Sequence, residues 1–132
     1  MSDKVHFNVP LRSALGRVRG QGSAHTGTHH WVMQRVTSVA LLPLTVWFAL
    51  SAAGLADSTH AEVVAWIARP FNTVLLIATI LLSFHHTLAG LQVILEDYLR
   101  QEWWRLWAIL AAKGIFWLAA IAAIFSILRI AV

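Results

Sequence analysis

Three long stretches almost free of charge decide what this chain can fold into. They cover about residues 31–55, 70–96 and 104–130, and the middle one reads FNTVLLIATILLSFHHTLAGLQVIL before the polar pair Glu96-Asp97. Inside lipid a backbone must satisfy its own hydrogen bonds, so apolar runs of this length become helices that cross the membrane. At ~1.5 Å per residue, positions 72–95 alone give ~36 Å, enough to span a bilayer with some tilt. The expected fold class is therefore all-α integral membrane, with three transmembrane helices.

Composition agrees. Of 132 residues 58% are hydrophobic and only 12% charged, too few polar groups to cover a soluble domain of this size. Many of the seven Trp stand at the edges of apolar runs, where aromatic belts form at a bilayer interface. Cysteine is absent, which excludes disulfides, thiolate metal sites, iron–sulfur ligation and cysteine nucleophiles within this chain. The first apolar run follows a long polar arm and exceeds a signal-peptide core, so no cleavable signal is expected there.

Residues 1–30 form that arm, polar and basic, with Lys4, Arg12, Arg17 and Arg19. It has too little apolar material to bury by itself, so its structure, including one short helix expected around 11–18, is set by a partner surface. Residues 31–132 form the three-helix anchor domain. Pro43 falls inside the first helix, where in lipid it kinks the helix without ending it. A connector at 57–69 follows, with a segment at 63–67 suited to lie along the interface. Pro70 opens the second helix as a first-turn residue. Trp103, Trp104 and Trp107 lead into the third, which only Lys113 interrupts.

A net charge of +4 and a pI near 10.8 would suit nucleic acid, but the basic residues cluster at the N-terminus, as a topology signal does. Lys4, Arg12, Arg17, Arg19, Arg35, Arg100 and Arg105 fall on one side, against Arg69 and Arg129 on the other. The positive-inside rule then places the N-terminus in the cytoplasm or matrix and the C-terminus outside.

Chemistry concentrates at His85 and His86, near the middle of the second helix. An ionisable residue at that depth faces a partner, a cavity or a cofactor. At 100° per residue, His86, Gly90, Val93 and Asp97 share one face, and Gly90 would let a flat macrocycle approach the backbone. A bis-histidine haem takes one imidazole on each side of the iron. His85 points about 100° away from His86, and His29, His30 and His60 lie at the helix mouth or in the outer connector. A second axial ligand must then come from another chain. The plainer alternative for either histidine is a hydrogen bond across a helix interface.

Other residues carry paired readings. Tyr98 lies ~18 Å along the helix from His86. It is either an interfacial anchor or a phenol that hydrogen-bonds a quinone carbonyl, with Asp97 beside it to pass protons. Arg35 either forks onto a carboxylate such as a haem propionate or snorkels to lipid phosphate. Lys113 either snorkels or pairs with an acid. Ser38 has no signal of its own.

The stretch His86-Thr87-Leu88-Ala89-Gly90-Leu91-Gln92-Val93-Ile94-Leu95-Glu96-Asp97-Tyr98 resembles the H-x-x-x-G-x-x-Q-V-L-x-D-Y signature of the smaller hydrophobic (D-type) anchor subunit of succinate dehydrogenase. The stretch from His29 through Arg35 and Ser38 to Leu41 resembles that subunit's entry into its first helix. The resemblance implies a three-helix part of a bundle completed by the larger hydrophobic anchor subunit. His86 is then an axial haem b ligand, with the opposite ligand from that partner. Tyr98, with Asp97, contacts ubiquinone; Arg35 lies near the haem propionates; and His30 stands where some relatives carry an acid. It also implies a flavoprotein and an iron–sulfur subunit as partners, in a bacterial or mitochondrial inner membrane. The chain is non-catalytic alone, having neither cysteine nor a glycine-rich nucleotide fingerprint. The competing readings are the anchor of a fumarate reductase, a small proton-coupled transporter subunit using His85, His86 and Lys113, and a purely structural anchor.

Overall fold

The computed structural model describes residues 25–132; the arm, with the short helix expected around 11–18, lies outside them. Four helices follow one another: α1 His25–Gly54, α2 His60–Ile67, α3 Pro70–Tyr98 and α4 Glu102–Ala131. Among them α1, α3 and α4 are long and apolar enough to cross a membrane. At ~1.5 Å per residue each reaches ~45 Å, beyond the ~30 Å hydrocarbon layer, so their ends belong at headgroup level. Helix α1 runs unbroken past Pro43. It already takes in His25–His30 ahead of the first apolar residues, because extending an existing helix through Thr and His adds a hydrogen bond per residue and needs no new nucleus.

Helix α3 is the centre. Among the described residues, α1 and α4 each pack on α3 and not on each other. Very little is buried in this arrangement: only Thr37, Asn72, Thr73, Ala89 and Ala120. All are small or short, which is what close helix approach in a membrane requires. The large apolar side chains point away instead, Leu42 on α1, Val74 on α3 and Phe125 on α4 among them. Outward apolar faces are covered by lipid or by other helices.

The short helix α2 packs beside α4 and the start of α3, and meets α1 through side chains. Thr59 caps it in a reciprocal capping box with Glu62. The Thr59 backbone N–H donates to Glu62 Oε2 at 2.7 Å and its hydroxyl at 2.8 Å. These two hydrogen bonds, the backbone one first, hold the Glu62 carboxyl below the ordinary glutamate value. Trp66 stacks on Trp47 of α1 with ring centroids 5.8 Å apart. Asn72 Nδ2 donates to the Trp66 carbonyl at 2.7 Å, and the Thr73 hydroxyl to that of Ile67 at 2.7 Å. The last carbonyls of α2, which no helical N–H can reach, are thus used to seat the first turn of α3.

Candidate functional site

The seam between α1 and α3 is closed by polar groups. Thr37 is the most buried residue described, at 2% exposure. Its Oγ1 lies 3.0 Å from His86 Nδ1, and also 2.8 Å from the Met33 carbonyl and 3.1 Å from that of Gln34. A hydroxyl has one proton, and two carbonyl oxygens crowd it, so the proton goes to a carbonyl in the usual back-bond of a helical threonine. The remaining lone pair can only accept. With the hydroxyl proton so assigned, His86 Nδ1 is the donor of the contact and Nε2 takes no part in it.

Two further contacts tighten the seam. Gln34 Nε2 donates a long hydrogen bond, 3.4 Å, to the His86 carbonyl. Gly90, one turn on, faces the same side chain: a Cβ there would meet Gln34 Nε2 at 3.5 Å, an ordinary contact. Gln34 Oε1 is buried and has no partner among the described residues. Ser38 returns its hydroxyl to the Gln34 carbonyl at 2.7 Å, so it takes no part across the seam.

His85 looks elsewhere. It is exposed and lines a cleft of about 460 Å³ between α1 and α4, with α3 as its floor. His29, His30 and Met33 of α1 and Lys113 of α4 share this cleft. The structure thus brings His30 together with His85 and Lys113, and not with His86 or Arg35. Sequence reasoning grouped His85 with Lys113 only in the transporter reading, and did not bring His29 and His30 to them. The signal for the cluster was the 100° step from His86 to His85, which had to place His85 on another wall of α3.

Arg35 is exposed, and its guanidinium carbon lies 5.2 Å from the Trp31 ring centre. That is a cation–π contact at an interfacial position. On a helix Arg35 lies about 200° from Thr37, so it leaves α1 on the side away from His86. Tyr98 ends α3 and is 82% exposed, with Asp97 exposed beside it.

Among the described residues, no three His, Asp or Glu converge as a metal ion would need. A metal touched by His86 would draw its other ligands from a cofactor or from another chain, as a haem iron does. The donor present fits that demand: one half-buried imidazole, with Nδ1 held against the Thr37 hydroxyl and Nε2 outside that contact.

Residues 10–128 match the model of a family described as succinate dehydrogenase/fumarate reductase transmembrane subunit. Three curated relatives are named succinate dehydrogenase hydrophobic membrane anchor subunit. That of Rickettsia conorii is 31% identical over 90 residues, covering 67% of this chain and 71% of its own length. That of Rickettsia bellii is 30% identical over 104 residues, 78% of this chain and 82% of the relative. That of Paracoccus denitrificans is 31% identical over 126 residues, 95% of this chain and 93% of the relative. No solved structure matches the chain.

Proposed function

The chain belongs to the succinate dehydrogenase/fumarate reductase transmembrane subunit family, and on that premise we propose that it is the smaller hydrophobic membrane anchor of a succinate dehydrogenase, sharing a haem b and a ubiquinone site with its partners. The observation that carries the shared site is the Thr37–His86 hydrogen bond, which leaves Nε2 free near mid-membrane. The names of the relatives favour the succinate-oxidising complex over a fumarate reductase.

His86 is the axial ligand on one face of the iron. The other ligand comes from the larger hydrophobic anchor subunit, which also covers part of the exposed apolar surface. When bound, the haem supplies a one-electron redox centre within the membrane. Arg35 and His30 are its propionate partners. Arg35 leaves α1 away from the seam, whereas His30 stands two turns before Thr37 on nearly the same face and borders the cleft, so each reaches a propionate at the rim of the site.

Tyr98 hydrogen-bonds a ubiquinone carbonyl at the cytoplasmic or matrix face, and Asp97 passes protons there from water. The high exposure of Tyr98 supports a site whose other walls belong to the iron–sulfur subunit and the larger anchor. The flavoprotein subunit holds the flavin, and the iron–sulfur subunit the clusters, for which this chain has no cysteine.

Removing this chain from a cell that carries the whole complex tests the reading. Succinate oxidation by a soluble dye should move from the membrane to the soluble fraction, and ubiquinone reduction by succinate should stop. Membrane-bound ubiquinone reduction persisting without the chain would refute the proposal.

A further inference from the structure

The α1–α3 seam contains a group whose role goes beyond closing two helices. We propose that Thr37 is the positioning residue for His86: its hydroxyl, fixed on α1, accepts the Nδ1–H and so holds the imidazole in the tautomer whose Nε2 can ligate iron. The inference rests on the assignment of His86 as the axial ligand.

Three observations converge on it. The Thr37 proton is committed to α1, with carbonyl oxygens at 2.8 and 3.1 Å, so the direction of the 3.0 Å contact to His86 is fixed by the threonine and not by the histidine. Thr37 is 2% exposed, so its hydroxyl is shielded from water. Its acceptor also sits on a different helix from the ligand it orients. The imidazole plane is thereby tied to the packing of α1 on α3, reinforced by the Gln34 contact to the His86 carbonyl.

The physical consequence is twofold. A ligand histidine whose second nitrogen donates a hydrogen bond is oriented and more basic, and loss of such a partner commonly weakens metal affinity about 10–100-fold. A more basic imidazole also favours the ferric over the ferrous iron. Removing the acceptor should therefore raise the haem midpoint potential as well as loosen the haem.

The experiment uses the intact complex carrying Thr37→Val, which keeps shape and deletes the hydroxyl, beside Thr37→Ser, which keeps the hydroxyl. Haem content after detergent washing, the ferric low-spin electron paramagnetic resonance signal and the midpoint potential are read for both. Thr37→Val should retain haem about 10–100-fold less tightly, with a raised potential and an altered low-spin signal, and Thr37→Ser should restore all three towards wild type. If Thr37→Val behaves as wild type while Thr37→Ser loses haem, Thr37 only fills space and the proposal is overturned. If Thr37→Val fails to assemble, Thr37→Ser against Thr37→Ala gives the same contrast of one hydroxyl, and equal potentials in that pair overturn it too. His86→Ala separates the two levels. Low-spin haem surviving in His86→Ala sinks the ligand assignment itself. Its loss there, with wild-type retention and potential in Thr37→Val, sinks the positioning role alone.

Discussion

On the α1 side of α3, His86 gives its Nδ1–H to a buried threonine and its carbonyl to a glutamine. On the cleft side His85 is exposed among His29, His30 and Lys113. The two histidines are adjacent in the chain, equally deep in the same helix, and identical in chemistry. What separates them is the 100° between successive side chains, which hands one to a tight seam and the other to an open cleft. The seam holds the His86 ring and carbonyl against fixed polar partners, whereas the cleft leaves its basic side chains to whatever fills it. A side chain held in one orientation suits ligation; one free to turn suits solvent, lipid phosphate or a neighbouring chain.

The largest effect should come from depriving the seam of its partner. Expressed without the other subunits, the chain should fail to retain haem, since half the axial field is missing and few of its apolar side chains are covered. The check is the haem-to-protein ratio after purification in detergent, and a haem-replete single chain would break the contrast by placing the whole site here.

A smaller loss is expected at the end of α3. Tyr98→Phe keeps the ring and deletes one hydrogen bond, worth roughly 0.5–1.5 kcal/mol net. That is about a twofold to tenfold fall in the quinone-dependent rate, with the succinate–dye rate unchanged. Equal wild-type rates in both assays would make Tyr98 a membrane-belt residue. Smaller still should be Lys113→Met in the cleft. It should leave haem content and the low-spin signal within error of wild type, and a spectral change would draw the cleft into the haem site.

The slightest effect belongs to the connector. The Glu62 carboxyl titrates lower in the folded chain than when unfolded. Its contribution to the α2 cap is therefore present above the unfolded value and fades as pH falls through the folded one. The protection of α2 amides, after allowance for the intrinsic slowing of exchange in acid, should fall over that range in wild type and be low throughout in Glu62→Ala, while amides of the seam stay unaffected.

The three spans were legible because lipid imposes a length and an apolar composition that few other folds demand. Their ends were less so: the helical Thr and His residues ahead of Trp31 look polar in sequence and are simply carried along by α1. The divergence of His85 and His86 followed from helix periodicity, but the identity of the helix each would meet did not. Thr37 looked like any β-branched residue in an apolar run, since its partner is distant in sequence and only the α1–α3 crossing brings them together. Gly90, which shares a helix face with His86, also lies near Gln34 of α1. His30 borders the same cleft as His85 and Lys113, a grouping hidden in the sequence because a position along one helix says nothing of which neighbouring helix stands across from it.

The central claim is that the seam histidine and not the cleft histidine holds the iron. It is tested most directly by the reduced-minus-oxidised absorption spectrum of the intact complex carrying His86→Ala beside that carrying His85→Ala. The account predicts that the low-spin b-type signature is lost or strongly altered with His86→Ala and largely kept with His85→Ala. The reverse pattern, or an unchanged spectrum with His86→Ala, would contradict it.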